Sequence, residues 1–103
     1  MVKHIVLWRI KTDGDTNYKL KKMQKLKIMI EALKENIQGI LELEVGIDIN
    51  NSESSADMVL YSVFENRQAL DFYQTHPEHQ KVASELKEIT LERRVADYEI
   101  VGY

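Results

Sequence analysis

The sequence predicts one α+β domain of ferredoxin-like topology, built on a four-stranded antiparallel sheet and spanning residues 1–103. Three observations predict it. A chain of 103 residues is long enough for one hydrophobic core and too short for two. Its apolar residues change period in the order strand, helix, strand, strand, helix, strand, which is the split βαβ plan. Two of those strands are apolar on both faces, so the sheet must be covered on both sides.

The first strand is Val2 to Ile10. Val2, His4, Val6, Trp8 and Ile10 point one way, and Lys3, Ile5, Leu7 and Arg9 the other. Lys11 to Thr16 contains Asp13-Gly14 and reads as a turn, with Asp15 or Thr16 available to cap a helix. From Tyr18 to Ile37 the period becomes helical, and Met23, Leu26, Ile30, Leu33 and Ile37 fall on one face. Gly39 breaks it. Leu41, Leu43, Val45, Ile47 and Ile49 then alternate with Glu42, Glu44, Gly46 and Asp48 as a second strand with one wet face.

Asn50 to Ser55 is a polar loop, and Asp57 to Phe64 is a third strand, apolar on both sides. Asn66 caps a short helix through Tyr73. Pro77 opens another that runs to about Thr90, with His79, Val82, Ala83, Leu86 and Ile89 inward. Arg93 to Val101 is the last strand, with Val95, Asp97 and Glu99 against Arg94, Ala96, Tyr98 and Ile100.

This order puts the first and third strands in the centre and both helices on one face. Ile5, Leu7, Val59, Tyr61 and Val63 are then left on the other, and an apolar patch of that kind marks an interaction surface. A second copy packing sheet to sheet about a two-fold axis covers it, so the sequence predicts a homodimer closing into an α/β barrel.

Composition narrows the partners. With 44% hydrophobic and 30% charged residues the chain reads as an ordinary globular protein, and a net charge of −3 gives no reason to expect nucleic acid. The third strand lacks the Gly-Phe-Gly-Phe type of phrase that RNA-binding domains of this topology use. The lysines at 19, 21, 22, 25 and 27 read as the solvated face of the first helix. No apolar run approaches the ~20 residues that span a bilayer, and no signal-peptide pattern precedes the first strand. The chain has no cysteine, which removes disulfides and thiolate chemistry. The expectation is a cytoplasmic protein that uses neither membrane nor metal.

Three histidines, a few tyrosines and some carboxylates are the catalytic material. Pro77 fixes the start of the last helix, so His76 lies just outside it and His79 within its first turn. His79 shares the stripe of Val82, Ala83 and Leu86 and should point toward the sheet. His4 shares a face with Val6 and Trp8. In the split βαβ order the fourth strand lies beside the first and antiparallel to it, which brings Asp97 within reach of His4 if Val95 faces the helices. Buried polar groups need partners, and a His4–Asp97 pair would satisfy both. Buried His–Asp pairs are more often structural than catalytic. His76 reads as a loop or cap residue.

Met1-Val-Lys-His-Ile-Val-Leu-Trp8, Phe72-Tyr-Gln-Thr-His-Pro-Glu-His79 and Asp97-Tyr98 together resemble the stress-responsive dimeric α/β-barrel (Dabb) domain. The resemblance covers essentially the whole chain in the same order and implies the dimeric barrel reached above from alternation. Many members of that family have no assigned activity. One plant member closes a linear polyketide by intramolecular aldol condensation, and its tyrosine–histidine pair matches Tyr73 and His79, its N-terminal histidine His4.

That resemblance implies a cofactor-independent, cyclase-like lyase in which His79 is the base and Tyr73 orients it or hydrogen-bonds an enolate oxygen. Asp97 would support His4. The pocket for an apolar or aromatic compound would be built from Val6, Trp8, Leu26, Ile30, Leu60, Val82 and Leu86. Two pocket aromatics of the plant enzyme correspond here to Ile30 and Lys27, so the substrate does not carry over. Two alternatives stand beside this reading. One is a non-catalytic, stress-related structural dimer whose histidines only satisfy each other. The other is an enzyme of the related antibiotic-biosynthesis monooxygenase type.

Overall fold

Alternation along the N-terminal segment produces β1 (Val2–Ile10), and its inward set, Val2, His4, Val6, Trp8 and Ile10, is buried throughout. The structure is a computed structural model and describes residues 1–101. After β1 come α1 (Thr16–Glu31), α2 (Leu33–Asn36), β2 (Ile40–Ile47), β3 (Met58–Phe64), α3 (Arg67–Thr75), α4 (Pro77–Ile89) and β4 (Thr90–Glu99). The four strands form one antiparallel sheet in the order β2-β3-β1-β4, which is the ferredoxin-like arrangement. The helices share one face of it. Val101 lies at the end of the described residues, and β4 itself stops at Glu99.

Asp15 caps α1 by accepting from the Tyr18 N–H at 3.1 Å. The single helix expected over 18–37 divides at Ala32. That residue keeps helical backbone angles (φ −65°, ψ −21°), so α1 and α2 present one apolar stripe. Met23, Leu26, Ile30, Leu33 and Ile37 are all buried on it. Lys27 Nζ donates to Glu31 (2.8 Å) and to the Val45 carbonyl (2.6 Å), and the Val45 N–H donates to Glu31 (3.0 Å). These bonds tie α1 to β2. Burial works against ionisation of the Glu31 carboxyl, and the bonds from Lys27 and Val45 outweigh it, leaving its pKa below the ordinary value.

β2 departs from simple alternation. A register irregularity between Ile40 and Glu42 puts Ile40 inside and leaves Leu41 at 36% exposure. One extra residue in a strand exchanges the two faces, which a period-two reading cannot see. Ile49, expected inward, lies beyond the strand and is 98% exposed. Gly39, which precedes β2, has φ +90°, and a Cβ there would sit 2.7 Å from the Ala69 Cβ of α3. Gly39→Ala therefore combines backbone strain with a side-chain collision. It is expected to lower stability by about 1–3 kcal/mol, seen as an earlier urea midpoint with an unchanged slope.

Asp57 precedes β3 as a corner residue. Its carboxylate accepts from the Ile10 N–H at 2.7 Å and pairs with Lys19 at 2.9 Å. β4 begins at Thr90, three residues before the expected Arg93, and follows α4 with no loop between them. On the sheet face away from the helices, Leu7 is 41% exposed and Ile5, Val59 and Tyr61 are half-buried. Val63 departs from the expected open patch. Between Lys3 and Glu42 in the ladder, it is fully buried within the protomer.

Candidate active site

The last turn of α3 and the first turn of α4 bring Tyr73, His76 and His79 together. Pro77 occupies the first helical position of α4, and His76 caps it, its Nδ1 accepting from the Glu78 N–H at 3.1 Å. One turn on, His79 Nδ1 donates to the Gln74 carbonyl at 3.2 Å. That bond defines the ring's roles: with the proton on Nδ1, the lone pair is on Nε2. Tyr73 is buried, its ring 4.3 Å from that of His79 and 5.0 Å from Phe64 between centroids. No hydrogen bond within the described residues engages the Tyr73 hydroxyl, and no fully buried side-chain polar atom lacks a partner. The hydroxyl therefore faces open space.

His4 completes the polar end. It is buried, 6.4 Å from the Tyr73 ring centroid, and its Nδ1 meets an Asp97 carboxylate oxygen at 2.5 Å. The register that pairs His4 with Asp97 and Val6 with Val95 puts Asp97 on the helix side, as alternation predicts. Asp97 itself is partly exposed and touches the site only through His4.

Burial holds the His79 imidazole below its ordinary pKa. The Gln74 bond opposes this, and electrostatic repulsion from His4, Arg93 and His76 reinforces it. Burial pushes the Tyr73 phenol well above its ordinary pKa, against a smaller opposing pull from Arg93. At neutral pH the site thus holds a neutral imidazole beside a neutral phenol: a base next to a hydrogen-bond donor.

These groups open on a cavity of about 420 Å³ between the helices and the sheet. Of the expected pocket residues, Val6, Trp8, Ile30, Leu60, Val82 and Leu86 line it together with His4, Tyr73 and His79. Leu26 does not. It is buried where α1 faces α4, beside Glu85 and Ile89, because an inward helical stripe feeds helix–helix packing as well as the cavity wall. Leu33, Ala83, Lys87, Thr90 and Arg93 line the cavity without having been expected. Arg93 was within reach of the sequence, since it lies two residues before Val95 on the same face of β4. Among the described residues no group of three or more His, Asp or Glu side chains is arranged to hold a metal ion. No described helix is long and apolar enough to cross a membrane.

The sheet order, with the helices on one face and the Tyr73–His79 pair lining the cavity between, defines a small ferredoxin-like α+β domain. The chain belongs to the stress-responsive A/B barrel (Dabb) domain family, whose model matches residues 2–100. Among solved structures it is similar to a dimeric ferredoxin-like protein of unknown function from Bacteroides fragilis. The two are 40% identical over 96% of this chain and 95% of that one, with a TM-score of 0.88. An Arabidopsis thaliana protein is 26% identical over 100% and 98% of the two chains, with a TM-score of 0.78. The hydroxynitrile lyase of Passiflora edulis shares the fold at 18% identity, over 99% of this chain and 94% of that one (TM-score 0.81). Among curated proteins none matches.

Proposed function

We propose that this protein is a homodimer that binds an apolar or aromatic small molecule between helices and sheet and acts on it by cofactor-independent acid–base chemistry. The observation that carries this reading is the cavity beside His79, whose Nδ1 is occupied by the Gln74 carbonyl while Nε2 is left as a base. A volume of about 420 Å³ suits a ligand of one or two rings. His79 Nε2 removes a proton from carbon next to a carbonyl. The enolate oxygen accepts a hydrogen bond from the Tyr73 hydroxyl, the carbanion attacks a second carbonyl of the same molecule, and His79 returns its proton to the new alkoxide. The Asp97–His4 pair holds the imidazole of His4 in one orientation at the cavity wall.

A purely structural role would predict a filled space around His79. The cavity and the Tyr73 hydroxyl, which has no hydrogen-bond partner among the described residues, speak against it. The dimer is supported by the open apolar residues opposite the helices and by the dimeric state of the B. fragilis relative.

A thermal-shift screen of aromatic and polyketide-like compounds tests the reading. A ligand present at a hundredfold excess over its Kd stabilises the native state by about 2.7 kcal/mol. The expected result is a group of related compounds that raise the melting temperature of wild type but not of Ala83→Phe, which fills the cavity. Stabilisation that persists in Ala83→Phe, or its absence across the panel, would sink the reading.

A further inference from the structure

The small-molecule reading leaves the chemistry of the ligand open, and the wall of the same cavity narrows it. Lys87 and Arg93 both line it, and no lining residue is acidic. The chain as a whole carries 17 acidic residues against 14 basic, so a wall with two cations and no carboxylate runs against its average.

Nor are these cations used elsewhere. Six other Lys and Arg residues form ion pairs: Arg9, Lys19, Lys27, Arg67, Lys81 and Arg94. Glu92, the acid nearest Arg93 in sequence, lies on the opposite face of β4 and serves Arg9 and Arg94. Asp97, the acid on the same face as Arg93, is bonded to His4. Within the described residues neither Arg93 nor Lys87 has an ion pair or a side-chain hydrogen bond.

The register places Arg93 opposite Trp8, four residues along β1 from His4. At ~3.3 Å per residue the Arg93 backbone is about 13 Å along the strand from His4, and its charge still reaches Tyr73 and His79 across the apolar wall. We propose that the ligand is a carboxylate: its anionic group meets the Arg93 guanidinium, with Lys87 reinforcing, and its apolar or aromatic body lies along Val6, Trp8 and Leu60 toward His79. A guanidinium presents a planar pair of donors that matches the two oxygens of a carboxylate, which a lysine alone does not. Arg93 is thus a specificity-determining residue that orients the reacting end toward the base.

Calorimetry with matched pairs tests this: benzoate, naphthalene-2-carboxylate and biphenyl-4-carboxylate, each against its own carboxamide. Hydrogen bonds to a charged group are worth about 1.5–3 kcal/mol, so the acid should bind wild type roughly 10–100-fold more tightly than its amide. Arg93→Gln should bring that ratio close to unity and leave the amide's affinity unchanged, and Arg93→Lys should restore part of it. Because Arg93 is exposed, the variants should keep the fold, and circular dichroism checks this. Acid and amide binding alike would overturn the carboxylate assignment and leave the pocket standing. A preference that survives Arg93→Gln and is lost in Lys87→Gln would overturn the role of Arg93. If no pair binds at any ring size, the pocket reading falls together with this one.

Discussion

Leu7→Asp should convert the protein from a species of twice the chain mass to one of the chain mass in sedimentation equilibrium. Leu7 is central in β1, opposite Val59 on one side and Arg94 on the other, and it is already 41% exposed in the protomer. An aspartate there costs the isolated protomer little. In a sheet-to-sheet dimer the same carboxylate leaves water with only Arg94, already shared with Glu92, beside it, a penalty of up to about 3–5 kcal/mol. For a two-fold interface the residue occurs once in each copy, and a single such penalty already raises the dissociation constant roughly 10²–10⁴-fold. Circular dichroism should show an unchanged fold. An intact dimer of unchanged stability would place the interface elsewhere.

His79→Ala should abolish turnover of any substrate that the ligand screen identifies, by roughly 10²–10⁴-fold, the usual contribution of a positioned general base. The effect should fall on kcat more than on KM, because the apolar wall that binds the substrate remains. The pH profile gives the same group a signature. Burial lowers the His79 pKa, so the base stays neutral at pH 7 and the acid limb of the rate lies below the ordinary imidazole value of ~6.5. The sign for stability follows. Between the depressed folded value and the unfolded ~6.5 the unfolded chain binds the extra proton, so the contribution of His79 is present above that window and lost as pH falls through it. In His79→Ala that part of the acid sensitivity should vanish. Turnover that survives the substitution would remove His79 from the chemistry.

Much of the site could be read from the sequence because it rests on alternation. His4 and Asp97 meet because strand order and period two fix both the neighbour and the face. His76 is a cap and His79 faces inward because Pro77 fixes the phase of α4. What escaped depends on packing rather than on periodicity. The stripe on α1 predicts that Leu26 and Ile30 point inward, but only the separation of α1 and α4 decides that one fills a helix contact and the other a cavity wall. The irregularity at Leu41 inserts a residue that the pattern absorbs without trace. Arg93 was hidden for another reason: a charged residue at the start of a strand reads as solvated, although extending the series Val95, Asp97, Glu99 back by two reaches it.

The direct passage from α4 into β4 has a mechanical meaning. Ile89 ends the helix, its carbonyl accepts from the Lys11 N–H at 2.8 Å, and Thr90 pairs with Ile10 while its hydroxyl donates back to Leu86 at 2.6 Å. The junction has no slack. α4 cannot swing away from the sheet as a lid without drawing the start of β4 out of its ladder with β1. Any opening of the proposed pocket that displaces the C-terminal end of α4 therefore breaks sheet bonds to β1 as well as helix contacts.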